Sequence, residues 1–172
     1  MKTKNLMLVG ILAMAAMPAA TSAAAVEKQP VTVNIPRLSM EMALRAAQGA
    51  INACRRAGVQ IAVTVVDRGG DPQVVLRDVL AMDVALPISR DKAYTAMSFN
   101  SATSALAGRF TEPASVAKAP GVLTSPGGVP IVAGGAILGG IGVSGAPTGE
   151  DDEKCANAGL KSILEELEMS FM

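Results

Sequence analysis

The alternation of apolar and polar positions predicts that the folded part of the chain begins with a helix and continues with a hairpin. Apolar residues recur with a 3.6-residue period over residues 39–57, and Gly58 ends that pattern. Residues 61–66 form a β-branched run typical of a strand. A turn at residues 67–71 separates this strand from a returning strand at residues 73–77, which completes a hairpin.

The second half of the chain shows the same succession of helix and hairpin. Pro87 interrupts the pattern, and Ser89 is of the type that caps a helix N-terminus, so we predict a helix over residues 90–100. The further predicted elements are a short helix at 103–110, a loop at 111–128, strands at 129–133 and 136–144, and a helix at 150–169. Hairpins without βαβ crossovers indicate an α/β protein of the α+β type, with helices packed on an antiparallel sheet.

The first 25 residues resemble a secretory signal peptide rather than part of the fold. Lys2 and Lys4 precede an apolar run at residues 6–20, and small residues follow at 21–25. We therefore expect a signal peptide at 1–25 and a single domain at 26–172, periplasmic or secreted, with no stable membrane anchor after cleavage. An uncleaved anchor is the alternative interpretation of the same run.

The amino-acid composition excludes several classes of function. The 172 residues carry 15 basic and 15 acidic side chains, so no basic patch argues for a nucleic-acid partner. Histidine is absent, which excludes histidine-assisted nucleophilic catalysis and histidine-ligated zinc or haem. Only 2% of the residues are aromatic, and glycine and alanine are frequent. Because such a chain has a modest core of its own, we expect a homo-oligomer with ligand clefts between subunits.

Two cysteines fall on predicted helices. Cys54 lies on the inward stripe of the first helix, together with Leu44, Ala47 and Ile51. Cys155 lies near the start of the last helix. In an oxidising compartment such a pair favours a disulfide over a metal site, so we predict a Cys54–Cys155 bond, with two separate buried thiols as the alternative.

Four segments, in this order and spacing, resemble the GlcG/HbpS-like family, also called the haem-degrading domain family. They are residues 58–70, residues 88–96 (similar to the family's Ser-x-x-Lys-Ala-x-Thr-Ala), residues 127–131 and residues 139–146. The resemblance covers roughly residues 39–167. It implies a profilin-like fold, self-assembly into oligomers and, for some members, haem binding.

One departure from the family pattern concerns the iron ligand. Where family members often continue the first turn as Gly-Gly-His, this chain has Asp71. Tyr94, Met82, Met97 or a free cysteine thiolate are the side chains left that can ligate iron. Each also has a plain structural interpretation, since the two methionines sit among apolar neighbours typical of a core, and tyrosine is often a packing residue.

The remaining candidate site residues are polar groups and bare backbone in the segments that resemble the family. Lys92 on the second helix can bind a carboxylate or act as a base, or it can be a surface lysine paired with Asp91 or another acid. Gly127 and Gly128 place exposed amides where a strand begins, which can hold an oxyanion or simply suit a turn. Ser144 ends a strand.

Two functions are consistent with these residues. The first is an exported oligomer that binds haem or another planar or carboxylate-bearing small molecule without histidine ligation. The second is a cofactor-free enzyme that uses Lys92 or Asp71 as acid or base, with backbone amides that stabilise an oxyanion. The predicted ligand-binding residues are Asp71, Lys92, Tyr94, Gly127, Gly128 and Ser144.

Overall fold

A four-stranded antiparallel sheet with helices on both faces forms the centre of the computed structural model, which describes residues 29–113 and 115–172. In chain order the elements are α1 (Met40–Arg56), β1 (Ala62–Asp67), β2 (Pro72–Arg77), α2 (Ala85–Phe99), α3 (Thr103–Leu106), a 3-10 helix (Val116–Lys118), β3 (Gly128–Ala133), β4 (Ala136–Ser144) and α4 (Gly149–Met169). The predicted α+β class is confirmed. The predicted signal peptide lies outside the described residues.

Both predicted hairpins are present, and they meet in the middle of the sheet. The strand order is β2-β1-β4-β3, so β1 and β4 are central and pair antiparallel from Ala62 opposite Ser144 to Asp67 opposite Gly139. Strands β2 and β3 form the two edges. An irregularity between Val65 and Val66 shifts the register of the β1–β2 pair near its turn.

The two faces of the sheet are covered by different helices. Helices α1 and α4 pack against each other and on one face, over a large apolar core that includes alternate residues of β1. Helix α2 lies on the other face, mainly over β4 and β1, where Val66, Ala93 and Met97 form a smaller cluster. The chain therefore has the profilin-like layering that the resemblance implies.

Helix α2 begins five residues earlier than the sequence predicts. It starts at Ala85, so Ser89 lies in its second turn and is not the N-cap. Pro87 falls within the first turn, where the missing N–H has no helical partner to bond, so the proline is compatible with the helix. Ser89 is completely buried, and its hydroxyl donates to the carbonyl of Leu86, 2.9 Å away.

The short third helix is also shorter than predicted. It spans Thr103–Leu106, and Gly108 has a positive φ of 74°, a conformation that ends a helix at little cost for glycine. The segment that follows is mostly irregular, as predicted, apart from the single 3-10 turn at Val116–Lys118. Phe99 and Phe110 pack with tilted rings whose centroids are 5.5 Å apart. This contact holds the start of the irregular segment against α2.

The predicted disulfide joins α1 to α4. Cys54 and Cys155 are bonded, with their Cα atoms 5.6 Å apart and 101 positions apart in the chain. Ile51 and Cys54 face inward as predicted, whereas Leu44 is exposed. Among the described residues, no helix is both long enough and apolar enough to cross a membrane.

Candidate functional site

Three polar residues of α2 attach the helix to three different parts of the fold. Ser89, Lys92 and Thr95 follow each other at helical spacing, so they share the inward face of α2, and all three are buried. The Ser89 hydroxyl lies 2.8 Å from the hydroxyl of Thr64 on β1. The Thr95 hydroxyl accepts the backbone N–H of Leu123 at 2.8 Å and thereby fastens the long loop.

Lys92 forms a buried ion pair between α2 and the start of α4. Its Nζ lies 2.9 Å from Asp152 Oδ2 and donates to the carbonyl of Val143 at 3.0 Å. The other Asp152 oxygen accepts the backbone N–H of Ala146 at 2.9 Å. Burial raises the pKa of the Asp152 carboxyl, and the hydrogen bonds from Lys92 and Ala146 offset only part of this effect.

The alternative interpretation of Lys92 is right about an acidic partner but wrong about a surface position. The side chain is 3% exposed, and the acid that it pairs with is Asp152 rather than Asp91. The carboxylate that Lys92 binds in the single chain is thus supplied by the chain itself. A ligand carboxylate at this position would have to take the place of Asp152.

The two glycine amides next to this ion pair also have partners within the chain. Gly127 N–H donates to a carboxylate oxygen of Glu153 at 3.2 Å, and Gly128 N–H donates to the Thr103 hydroxyl at 2.8 Å. Glu153 also accepts from the backbone N–H and the hydroxyl of Ser104. These amides therefore connect the start of β3 to α3 and α4.

The glycines of β3 and β4 have a role that the sequence interpretation missed. A Cβ on Gly142 would lie 2.1 Å from the carbonyl oxygen of Ser89, and a Cβ on Gly128 would lie 2.4 Å from that of Lys92. On Gly140 it would lie 2.4 Å from the carbonyl oxygen of Ala93. Helix α2 thus rests directly on strand backbone, and the alternation of Gly140 and Gly142 on one strand face is the sequence signal for it.

Ser144 lies at the end of β4, opposite Ala62 of β1, and is buried. Its neighbour Val143 supplies the carbonyl that Lys92 binds and donates its own N–H to the Gly127 carbonyl at 2.9 Å. The structure therefore gathers four of the predicted site residues, namely Lys92, Gly127, Gly128 and Ser144, at one end of the sheet.

Tyr94 and Asp71 belong to a second group, beside the β1–β2 turn. A Cβ on Gly70 would lie 2.8 Å from the Tyr94 ring, and one on Gly121 would lie 3.8 Å from its opposite edge. The half-buried ring therefore lies between the turn and the long loop. It packs with Ile137 against the cluster that contains Met97. We call Gly70, Tyr94, Met97, Ile137 and the neighbouring Arg68 the Tyr94 patch.

The turn beside this patch is organised by an aspartate that the sequence interpretation did not single out. Asp67 Oδ1 accepts the backbone N–H groups of Gly69 and Asp71, at 2.7 and 3.1 Å. Its other oxygen pairs with Arg37 at 2.5 Å. Asp71, at the place where the family often has histidine, is exposed. Its side chain is therefore accessible beside the patch.

The other candidate iron ligands lie in different surroundings. Met97 is buried in the α2 cluster as predicted, but Met82 is 65% exposed, so the prediction that it fills core is wrong. Met82 lies in the connection between β2 and α2. The cysteine thiolate is not available, because both cysteines are in the disulfide. Arg68 reaches the Met97 sulfur at 3.9 Å.

A separate apolar groove of about 400 Å³ lies beside the disulfide, on the opposite side of the sheet from α2. It is lined mainly by small apolar residues such as Ala53, Val59 and Pro147, and none of the predicted ligand-binding residues lines it. The Lys154 and Asp151 side chains along it pair with each other at 2.8 Å. Among the described residues, no cluster of three or more His, Cys, Asp or Glu side chains could hold a metal ion.

The chain is thus a profilin-like α+β domain in which the Ser-x-x-Lys segment lies on helix α2, packed across the sheet. Known proteins share this arrangement. Residues 38–161 match the family described as "Haem degrading protein HbpS-like", so the chain belongs to the HbpS-like family. A double mutant of HbpS from Streptomyces reticuli is 38% identical, with a TM-score of 0.73 over 81% of this chain and 97% of that one.

Two further solved structures are similar. A PduOC–haem complex is 25% identical, with a TM-score of 0.67 over 74% of this chain and 96% of that one. The protein ORFY from Klebsiella pneumoniae shares the fold at 22% identity, with a TM-score of 0.73 over 78% of this chain and 96% of that one. The comparison with curated proteins found no match.

Proposed function

We propose that this chain is an exported, oligomeric binding protein for haem, or for a related planar molecule with carboxylates, and that it binds without a histidine ligand. Membership of the HbpS-like family supports haem as the ligand class, and so does the similarity to PduOC, whose solved structure is a haem complex. The predicted signal peptide and the disulfide support export.

The Tyr94 patch is the place in the chain whose chemistry fits haem. Ile137 and the Tyr94 ring offer apolar surface for the porphyrin, and the Arg68 guanidinium can pair with a propionate. A tyrosine oxygen is an established type of haem-iron ligand, so Tyr94 can serve where imidazole cannot. Haem, when bound, would supply iron-centred redox chemistry, while these residues would bind and orient it.

The single observation that carries this placement is the setting of Tyr94. It is the only tyrosine of the chain, and the backbone of Gly70 lies against one edge of its ring and that of Gly121 near the other. It lies beside the turn in which Asp71 replaces the family's histidine. The turn that often carries a histidine in family members therefore lies, in this chain, next to a side chain that can ligate iron.

In this proposal the Lys92 group positions α2 rather than touching the ligand. Lys92, Gly127 and Gly128 hold α2, α3 and α4 together through the contacts described above. The cofactor-free enzyme gains no support from these residues, because the ammonium group and both amides already bind groups of the chain. A ligand beside Lys92 and Ser144 stays a prediction, which the Lys92 variant discussed below tests.

Visible spectroscopy of hemin titrated into the purified protein tests the proposal. We expect the Soret band to shift and sharpen on binding, and Tyr94→Phe to weaken binding by about tenfold or more, since the variant keeps the ring but loses the oxygen. Met82→Leu is the matched control, because it removes an exposed candidate ligand outside the patch and should bind as the wild type does. No spectral change with wild-type protein would reject haem binding, and equal affinity of Tyr94→Phe would reject the Tyr94 placement.

A further inference from the structure

A tight turn of the long loop lies against the Tyr94 ring. Residues 119–122 form this turn, and the N–H of the last residue donates to the carbonyl of the first at 3.1 Å. Gly121 has a positive φ of 79°, which suits glycine at the third position of a type II turn, after Pro120 at the second. A Cβ on Gly121 would lie 3.8 and 4.0 Å from two carbon atoms along one edge of the ring. We call residues 119–122 the Pro-Gly turn.

A buried hydroxyl attaches the Pro-Gly turn to α2. Thr95 is completely buried, donates its hydroxyl hydrogen to the carbonyl of Asp91 at 2.7 Å, and accepts the N–H of Leu123 at 2.8 Å. Because the one hydrogen of the hydroxyl is used within the helix, its oxygen is oriented to accept from the loop. Leu123 directly follows the turn, and Thr95 directly follows Tyr94. The hydrogen bond therefore joins the turn to the helix next to the tyrosine.

Glycine backbone lies along both edges of the Tyr94 ring. On the edge opposite the Pro-Gly turn, a Cβ on Gly70 would lie 2.8 and 2.9 Å from two ring carbons, so the ring packs there on the backbone of the β1–β2 turn. The hydrogen bonds to Asp67 described above fix that turn. The contact along the other edge depends on the Pro-Gly turn, and its attachment to α2 depends on Thr95.

We infer that Thr95 is a positioning residue whose hydroxyl holds the Pro-Gly turn against Tyr94 and thereby sets the direction in which the phenol oxygen points. The turn lies in a mostly irregular segment, so a buried hydrogen bond to a helix restricts its movement. A side chain that binds a ligand must be held in its productive orientation by its neighbours, because ordering it on binding lowers the affinity. The role toward haem rests on the proposed function, whereas the hold of Thr95 on the ring is measurable without haem.

Tyrosine fluorescence of the ligand-free protein measures this hold directly. The chain has one tyrosine and no tryptophan, so the fluorescence comes from Tyr94 alone. Thr95→Val should make it at least about twofold more sensitive to quenching by acrylamide, because the released turn opens locally and exposes the ring edge. Thr95→Ser keeps the hydroxyl and should behave as the wild type does.

Two further variants show whether the effect comes from the Pro-Gly turn. Thr64→Val is the matched control, since it removes another completely buried hydroxyl, which contacts Ser89 of α2 rather than the loop, and it should leave quenching unchanged. Gly121→Ala places a side chain at a positive φ and so displaces the turn without altering α2, and it should increase quenching as Thr95→Val does. Wild-type quenching in both Thr95→Val and Gly121→Ala, or an equal increase in Thr64→Val, would overturn the inference.

Hemin titration separates a positioning role from a purely structural one. At a temperature where circular dichroism shows an intact fold, Thr95→Val should bind hemin at least about fivefold more weakly, with a Soret band displaced toward that of free hemin. Thr95→Ser and Thr64→Val should match the wild type. Lower stability of Thr95→Val with wild-type affinity and spectrum would overturn the positioning role. A wild type that binds no hemin would reject the proposed function, and the quenching result would then decide alone whether Thr95 positions Tyr94.

Discussion

At the scale of single residues, the polar side chains of α2 show what a sequence can and cannot indicate. The family-like segment predicts that Lys92 matters, and helical spacing places it on the same face as Ser89 and Thr95. Its partner could not be predicted, because Asp152 lies 60 positions later in a run of acids that suits a helix N-terminus equally well. Only the packing of α4 against the sheet selects that one carboxylate.

Removal of the Lys92 charge should destabilise the fold rather than only weaken binding. Lys92→Met leaves Asp152 buried without its partner, which typically costs about 3–5 kcal/mol in the free energy of unfolding. Denaturant unfolding measures this loss, and Lys154→Met, in an exposed pair with Asp151, is the control and should unfold like the wild type. If Lys92→Met kept wild-type stability but lost ligand affinity, Lys92 would be a ligand-binding residue after all.

The free energy of unfolding should depend on pH through the protonation of Asp152. Burial raises its folded-state pKa above the ordinary value of 3.8, so the folded protein binds this proton more readily than the unfolded chain. As the pH falls from 7 toward 4, the free energy of unfolding of the wild type should therefore increase relative to that of Asp152→Asn. Denaturant unfolding of both proteins across this range measures the difference.

Asp151 provides the matched comparison one residue earlier. The hydrogen bond from Lys154 lowers its pKa below 3.8, so the folded protein binds this proton less readily than the unfolded chain. The stability advantage of the wild type over Asp151→Asn should therefore stay constant from pH 7 to about 5 and begin to shrink, not grow, as the pH approaches 4. A wild-type advantage over Asp152→Asn that does not grow across the same range would show that Asp152 does not bind the proton more tightly in the folded state.

At the scale of elements, local patterns predicted the strands well and the helix boundaries less well. The β-branched runs and the glycine turns fix the hairpins, so β4 has the predicted bounds and β3 differs by one residue. The start of α2 was missed because a proline in a first turn looks like an interruption. The purpose of the strand glycines was missed because it depends on α2, which lies far away in sequence.

Close packing of α2 on β4 predicts that Gly142 does not tolerate a side chain. In Gly142→Ala the new Cβ would overlap the Ser89 carbonyl, and because both groups are backbone, neither can move aside without shifting the helix. We expect a loss of at least about 1–3 kcal/mol in the free energy of unfolding, the usual effect of overpacking. Thermal unfolding checks this.

Gly69→Ala is the control for that substitution. Its Cβ would approach only side-chain atoms of Asp67 and Asp71, the nearest an Asp67 oxygen at 3.2 Å, so the effect should be much smaller. Equal stability of Gly142→Ala and wild type would mean that α2 stands further from the sheet than described.

At the scale of the whole molecule, the sequence predicted the layers and the family, and the six predicted ligand-binding residues fall into two groups. Lys92, Gly127, Gly128 and Ser144 lie at one end of the sheet. Lys92 and Tyr94, by contrast, leave α2 in different directions, one to β4 and α4 and the other to the β1–β2 turn. Residues two positions apart on a helix are rotated by about 200° around its axis and so point to nearly opposite sides, a divergence that a list of motifs does not reveal.

We propose that export produces the form of the chain that carries out the function. We propose that residues 1–25 are removed, because the charged start, the apolar run and the small residues fit signal-peptidase processing. N-terminal sequencing of the secreted protein should therefore begin between Ala23 and Glu27. A mature protein that starts at Met1 and partitions with membranes would contradict this.

The disulfide should make the stability of the fold depend on whether the chain reaches an oxidising compartment. Cys54 and Cys155 close a loop of about 100 residues, and such a bond contributes about 3–5 kcal/mol when it is unstrained, mainly because it restricts the unfolded chain. The double variant Cys54→Ser, Cys155→Ser should lose that amount in denaturant unfolding. Protein produced without residues 1–25 in a reducing cytoplasm should lose a similar amount, and oxidation should restore it. Two thiols that react with an alkylating reagent in the unreduced, unfolded secreted protein would show that the bond does not form.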